Sequence, residues 1–187
     1  MIFPNTRCVL TLGGMLLFSV SASAAQVDDA HAIALAKPQE LIVSGNVTSG
    51  RREALLKPID AFYGFWNNGS EILLKEALSP GFTDHTLPPG RPQGPTGPAA
   101  AAKAFLAAVP DLKVTVVQRL MVADRVVSHL RFTGHFTGTF HDAKGSGQPI
   151  DFIATDILRV QAGKITDNWH LEDNLTFLKQ IGLVPNS

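Results

Sequence analysis

Two residues that could act as an acid and a base lie on consecutive predicted strands near the C-terminus. Asp156 and His170 stand on either side of the turn QAGK, residues 161–164. If the turn is a three-residue hairpin loop, Asp156 lies opposite Asn168, and His170 is its diagonal neighbour on the same face. A carboxylate beside an imidazole fixes the tautomer and raises the basicity of the ring. The spacing therefore predicts His170 as a general base that Asp156 orients.

Two other interpretations of this pair remain open. A two-residue turn made of Ala162 and Gly163 alone would shift the register by one residue and separate the pair. Asp156 could also have a purely structural task, in which it satisfies a backbone donor or pairs with Arg131.

Five further residues are candidates for contact with a ligand. His85, in FTDHT, precedes the loop PPGRPQGPTGP and lies either at the mouth of a pocket or in a solvated turn. His135 and Arg131 share one face of a long predicted strand, where Arg131 either orients a carboxylate or enolate or pairs with an aspartate. Trp66 and Phe82 are the aromatic residues that we expect to line a cavity and select a flat apolar ligand.

A metal site is the less favoured alternative for these residues. His170, Asp173, Asp156 and His85 combine imidazoles with carboxylates, which suits iron or zinc. Their spacing is generic, however, and Asp173 is well placed to cap a helix. We therefore expect neither a metal nor a cofactor, and the sequence contains no G-x-S-x-G, P-loop or G-x-G-x-x-G motif.

Composition indicates a globular protein. The 187 residues carry 16 basic and 16 acidic side chains, a balance that gives no polybasic surface for nucleic acid. A hydrophobic content of 45% permits a sizeable core and argues against disorder. The one cysteine, Cys8, lies too close to the N-terminus to build a disulfide framework or a zinc cluster.

The N-terminal 50 residues divide into two segments before the predicted domain. Arg7, the uncharged apolar run CVLTLGGMLLFSV and the small residues SASAA are typical of a secretory signal peptide, which we place at residues 1–24. Cleavage there predicts a mature N-terminus at or near Ala25 and a periplasmic or secreted protein without a membrane anchor. Residues 25–50 have no strong pattern and are interpreted as a linker or a loosely docked arm.

Residues 51–187 show a change of hydrophobic period that predicts an α+β domain. Apolar residues first recur every three to four positions, which predicts a helix that Pro58 kinks or starts, a second helix capped by Ser70, and a third that begins at Pro98. The period then becomes two, with strands at residues 112–122, 126–140, 152–160 and 165–171. Asp173 is predicted to cap a closing helix. This order places helices on one face of a curved antiparallel sheet, with a pocket between them.

An ordered set of strings carries a family resemblance across residues 53–184. FYGFWNNG, FTDHT, AKAFLAAVPDL, TGHFTGTF, DILRVQAGKITDNWH and LKQIGL resemble the SnoaL-like polyketide cyclase, or ester cyclase-like, family of the NTF2-like superfold. The resemblance implies a cone-shaped α+β barrel, commonly oligomeric, that binds a small aromatic or ester-bearing ligand. Its best-known members close a ring by aldol chemistry without a metal or cofactor, using an aspartate on the last strand and a histidine on the preceding one. Here the two residue types are exchanged, because the first position holds His170 and the second Asp156.

Two function classes follow from these observations. The first is a cofactor-free enzyme of the cyclase, isomerase or hydrolase kind, which moves a proton beside the carbonyl or ester group of a small apolar or aromatic ligand. The second is a non-catalytic module that binds such a ligand in the same pocket. In either case we expect a homodimer through the outer face of the sheet, where apolar strand surface would otherwise face water.

Overall fold

Residues 27–185, described by a computed structural model, form a curved, unclosed six-stranded sheet with helices on its concave face, and a separate two-stranded sheet. The helices are α1 (Asp29–Leu35), α2 (Ser49–Asn68), α3 (Glu71–Ala77), α4 (Thr96–Ala108) and α5 (Asn174–Gln180). The strands are β1 (Glu40–Val43), β2 (Leu78–Asp84), β3 (Lys113–Val122), β4 (Arg125–Phe136), β5 (Thr139–Phe140), β6 (Ala143–Lys144), β7 (Gln148–Gln161) and β8 (Lys164–Glu172).

The main sheet has the strand order β1-β3-β4-β7-β8-β2, and the separate two-stranded sheet consists of β5 and β6. Its centre is the predicted run of four antiparallel strands, β3, β4, β7 and β8. The two edge strands differ from the expected antiparallel pattern, because β1 runs parallel to β3 and β2 runs parallel to β8. The second parallel pair matters for the site, since it places the end of β2 beside the end of the last strand.

Capping residues set the helix ends that position the concave layer. Ser70 and Asp173 accept hydrogen bonds from backbone N–H groups at the starts of α3 and α5, as predicted. Thr48 does the same for α2, which therefore begins before Pro58 and carries that proline inside the helix. The helix α4 begins at Thr96 rather than at Pro98.

Alternation along β7 sorts its side chains between the core and the outer surface. Phe152, Ala154 and Asp156 are buried, whereas Asp151 and Ile153 are exposed on the other face. The buried face packs against aromatic residues of α2 in one continuous core. Any polar residue on that inner face is therefore enclosed between sheet and helices.

The structure differs from the linker or loose arm expected for residues 25–50. In the described part of this segment, Asp28 caps α1, and Ala32 and Ala36 are fully buried in the core. Four residues of β1 then pair with β3 at the edge of the sheet. Both α1 and β1 are short, and the buried residues of the segment are alanines, which give a weak hydrophobic signal. The sequence therefore showed no periodicity that would have predicted these elements. The predicted signal peptide at residues 1–24 lies outside the described residues.

Within residues 27–185, no helix is long and apolar enough to cross a membrane.

Candidate active site

A small cavity lies between the inner face of the sheet and helices α2 and α4. Its free volume is about 40 Å³. Aromatic rings form most of one side, and polar side chains gather on the other. The aromatic residues are Phe62, Trp66, Phe82, Phe105, Phe132 and Phe152, and the polar residues are Asp84, Arg91, Asp156, Asn168, His170 and Glu172.

His170 is held by carboxylates at both ring nitrogens. Its Nε2 lies 3.0 Å from both carboxylate oxygens of Asp84, and its Nδ1 lies 2.8 Å from Oε1 of Glu172. The backbone N–H of His170 donates to the Thr86 hydroxyl at 2.8 Å. Asp84 on β2 and Glu172 on β8 therefore fix the ring, and Thr86 in the turn after β2 binds the backbone of the same residue.

The two carboxylates keep the imidazole positively charged. Burial by itself lowers the pKa of His170, but the hydrogen bonds and charges of Glu172 and Asp84 outweigh burial and raise the pKa to about 9. Burial likewise favours the neutral form of Glu172, and the His170 contact overcomes it and holds the pKa of Glu172 below its usual value. At neutral pH His170 is therefore an imidazolium.

Asp156 faces the same cavity from the neighbouring strand, directly opposite His170 in the β7–β8 pairing. Its Oδ2 accepts a hydrogen bond from the Tyr63 hydroxyl at 2.9 Å. Burial raises the pKa of Asp156 to about 6, even though the His170 charge and the Tyr63 hydrogen bond favour the ionised form. A carboxylate with a pKa this close to neutrality can accept a proton and release it again.

The predicted register of this pair is wrong, although the two residues do share the cavity face. The turn contains two residues, Ala162 and Gly163, both left-handed, and Gln161 pairs with Lys164. A β-bulge at Thr166 then offsets the register by one residue. The bulge brings Asp156 directly opposite His170, whereas a two-residue turn without a bulge would have separated them.

The predicted contact between the two side chains is also replaced by others. Asp84 and Glu172 occupy the ring nitrogens of His170 that Asp156 was expected to orient. Asp156 instead accepts a hydrogen bond from Tyr63. The alternative partner considered for Asp156, Arg131, binds Asp151. The proton acceptor of the pair is thus more naturally Asp156, because His170 already carries its proton.

A buried ion pair lies beside the ring of Tyr63. Arg119, which is fully buried, donates to Asp60 Oδ1 at 2.6 Å, and its guanidinium lies 5.6 Å from the centre of the Tyr63 ring. Burial holds the pKa of Tyr63 well above its ordinary value, so the hydroxyl keeps its proton and donates to Asp156. Tyr63 and Arg119 are therefore positioning residues for that carboxylate.

Gln93 also attaches the loop after β2 to the site. Gln93 accepts from the Asp84 backbone N–H at 2.8 Å and donates to its carbonyl at 2.9 Å. Asp84 also receives the N–H of Thr86 on its carboxylate at 2.9 Å. These bonds aim the Asp84 side chain at His170.

Of the five predicted ligand contacts, Trp66 and Phe82 line the cavity and three residues do not. His85 is stacked on Trp169 with ring centres 4.3 Å apart, and its Nε2 lies 2.8 Å from Asp167. Trp169 and Asp167 alternate with the cavity residue His170, so this cluster lies on the outer side of β8.

The other two predicted contacts are exposed on the rim and outer face. Arg131 forms a two-pronged ion pair with Asp151, in which Nε lies 2.7 Å from Oδ1 and Nη2 contacts Oδ2. His135 Nδ1 lies 2.7 Å from Asp111. The side chains of Arg131 and His135 therefore each bind a surface carboxylate. For Arg131, this is the structural alternative that the sequence left open.

Among the cavity residues that the sequence analysis missed, strand alternation could have found three. Asp84 is two residues beyond Phe82 on β2 and must share its face. Asn168 and Glu172 flank His170 at the same spacing on β8. Tyr63 has no comparable signal, because nothing in its helical pattern separates it from core aromatic residues.

No cluster of three or more histidine, cysteine or acidic residues within residues 27–185 has a geometry that could hold a metal ion.

This combination of fold and site defines a class of protein. A curved sheet, helices over its concave face and a cavity that carries a buried imidazole and carboxylates are the features of an NTF2-like pocket protein. The fold alone does not decide between catalysis and binding.

Comparison with known proteins gives the family. Residues 59–181 match the model of the family described as SnoaL-like polyketide cyclase, and this chain belongs to that family. A candidate polyketide cyclase from Bacillus cereus ATCC 10987 is 39% identical, with a TM-score of 0.71 over 80% of this chain and 95% of that chain. IdmH, a candidate polyketide cyclase from Streptomyces antibioticus, is 26% identical, with a TM-score of 0.60 over 67% of this chain and 96% of its own.

More distant similarity concerns the fold alone. A protein from Catenulispora acidiphila DSM 44928, described as having a ketosteroid isomerase-like fold, is 17% identical and has a TM-score of 0.53 over 67% of this chain and 92% of that chain. No curated protein matches this chain at a significant level. Family membership and the candidate cyclases among the similar structures support a cyclase-type function.

Proposed function

We propose that this protein is a cofactor-free acid–base enzyme of the cyclase, isomerase or hydrolase kind, acting on a small carbonyl- or ester-bearing ligand. The observation that carries the proposal is the pairing of Asp156 with His170 across two strands of an aromatic cavity. One group is a buried carboxylate with a pKa of about 6, and the other is an imidazolium with a pKa of about 9. Two titratable groups with such separated pKa values can work as a base and a charge stabiliser in the same pH range.

The two side chains have different tasks in this proposal. Asp156 removes a proton from the carbon beside the carbonyl, and the electron pair of the broken C–H bond moves to form an enolate. The positive charge of His170 stabilises the enolate. In a ring closure the enolate carbon bonds to a second carbonyl carbon, and Asp156 returns its proton to the resulting alkoxide. Atoms and charges balance without a cofactor.

The proposed roles predict a bell-shaped dependence of kcat/KM on pH. The rate should rise as Asp156 ionises, with a midpoint near its pKa of about 6. It should fall as His170 loses its charge, with a midpoint near its pKa of about 9. A pH–rate profile measured on a substrate found by screening carbonyl compounds and esters tests this. A rate that rises with a midpoint near 9 and does not fall above it would instead assign the base to the neutral imidazole of His170.

A binding module without turnover is the second candidate. The aromatic lining favours it, since apolar area alone can hold a flat ligand. Such a module would bind its ligand equally well over the pH range in which Asp156 changes its charge.

Export to the periplasm or the outside of the cell remains part of the proposal on the strength of the N-terminal pattern. The charged residue, apolar run and small residues before Ala25 support it. The catalytic proposal does not depend on it.

A second copy of this chain is the proposed partner of the outer sheet face. Ile153, Ile157 and Leu171 are 46%, 41% and 78% exposed there, and a homodimer would remove them from water. Light scattering should give twice the mass of one mature chain at micromolar concentration. Ile157→Lys should shift the protein to a single chain, whereas Ile72→Lys, at an exposed position on α3, should not. A single chain in the unmodified protein would contradict the proposed interface.

A further inference from the structure

Asn168 presents an unused hydrogen-bond acceptor at the cavity. The residue is 6% exposed and lines the cavity beside His170 and Asp156. In residues 27–185, four buried side-chain polar atoms have no hydrogen-bond partner, and Asn168 Oδ1 is the one that belongs to a cavity residue. A buried acceptor without a partner costs free energy, so its persistence at a ligand cavity needs an explanation.

The orientation of the amide is set by its neighbour. Asn168 lies opposite Leu158 and is therefore the diagonal neighbour of Asp156 on the same face of the sheet. As a side-chain donor it favours the ionised form of that carboxylate. Rotating the amide by half a turn would place its oxygen against that carboxylate. The NH₂ group is therefore directed to Asp156, and Oδ1 is left for another donor.

The other acceptors of the cavity are carboxylates, and each of them already holds at least one partner. Asp84 and Glu172 are bound to the two ring nitrogens of His170, and Asp156 accepts from Tyr63. A ligand that carries a donor thus finds one buried neutral acceptor, Asn168 Oδ1, beside the proposed base. A neutral acceptor in an aromatic cavity fits a neutral donor, which on a carbonyl or ester compound is a hydroxyl group.

We propose that Asn168 recognises a hydroxyl group of the ligand and so selects a hydroxylated compound over the otherwise identical compound without it. The hydroxyl then lies close to the carbon that Asp156 deprotonates. Asn168 is a specificity-determining residue rather than a proton carrier, because an amide does not titrate. The catalytic part of this statement rests on the proposed function, but recognition of the hydroxyl does not.

The site would then distinguish a hydroxylated ligand from its analogue by a hydrogen bond rather than by shape. A site built to bind a substrate hydroxyl rejects the analogue that lacks it, because the buried acceptor is then left without a partner. The analogue without the hydroxyl is smaller, so its rejection cannot come from a steric clash.

The test compares the binding of two small probes, 3-hydroxyacetophenone and acetophenone, by calorimetry at neutral pH. The unmodified protein should bind the hydroxylated probe at least about tenfold more tightly. Asn168→Leu should remove this preference by weakening the hydroxylated probe alone. Phe82→Leu is the control, since it should weaken both probes and leave their ratio unchanged.

A second variant covers a failure of the leucine substitution to fold, as judged by circular dichroism. Asn168→Ala removes the acceptor without placing a larger apolar group beside Asp156 and should lose the same preference. Equal affinity of the unmodified protein for the two probes, no binding of either, or a preference that survives in a folded Asn168 variant overturns the proposal. Because binding is measured without turnover, a protein that shows the preference but catalyses nothing would contradict the proposed enzyme and leave the role of Asn168 standing.

Discussion

Asp156→Asn is expected to lower kcat/KM by roughly 10²- to 10⁴-fold, the usual contribution of a positioned acid–base group. The asparagine oxygen can still accept the Tyr63 hydrogen bond, so the fold should be kept. The amide cannot take up a proton, and the loss should therefore appear in kcat with little change in the affinity for a ligand. Steady-state kinetics on the screened substrate measures both constants.

Asp151→Asn is the matched control on the same strand. It makes the identical chemical change at a residue on the outer face, where Asp151 pairs with Arg131 and does not reach the cavity. The control should keep the full rate. If Asp156→Asn keeps it as well, Asp156 is not the base, and the binding module becomes the better description of this chain.

The same comparison separates the two function classes. In a binding module, neither substitution removes affinity for an apolar ligand, because the aromatic surface supplies most of the binding free energy. His170→Asn is a poorer probe, since it also leaves Asp84 and Glu172 facing each other without the cation between them. Asp156 isolates the proton transfer more cleanly.

Hydrophobic period and turn chemistry were enough to predict the parts of the fold that position the site. The four central strands and the caps Ser70 and Asp173 follow from local pattern, and the family resemblance supplied their arrangement as a pocket. That Asp156 and His170 share a face follows from strand alternation. Such features depend on neighbours in sequence, which a single sequence records.

Partners that depend on the path of the backbone could not be predicted in the same way. The bulge at Thr166 changes which residue faces Asp156, and no residue type there demands it. The parallel pairing of β2 with β8 brings Asp84 to His170, which lies 86 positions later in the sequence. His85 and Arg131 were predicted to contact a ligand because their residue types suit one. The His85 ring, in the turn after β2, instead packs on the outer side of β8, and Arg131 on β4 pairs with the exposed Asp151.

Asp60→Asn is expected to cause the largest loss of stability, about 3–5 kcal/mol in the free energy of unfolding. The substitution leaves the guanidinium of Arg119, which is fully buried, without its counter-charge. Urea denaturation followed by circular dichroism measures the change. Because small domains have only about 5–15 kcal/mol of stability in total, the variant should be close to unfolding at 37 °C.

Lys37→Met gives the matched control for that loss. Lys37 bonds to the other carboxylate oxygen of Asp60 at 2.5 Å, but its side chain is 61% exposed, and an exposed ion pair contributes about 0–1 kcal/mol. The double variant Asp60→Leu with Arg119→Met replaces both buried charges by apolar groups and should recover most of the stability. If Asp60→Asn costs no more than Lys37→Met, the buried pair does not stabilise the fold. If stability recovers in the double variant while the Asp156-dependent rate does not, the pair also acts as the support that holds Tyr63 against the proposed base.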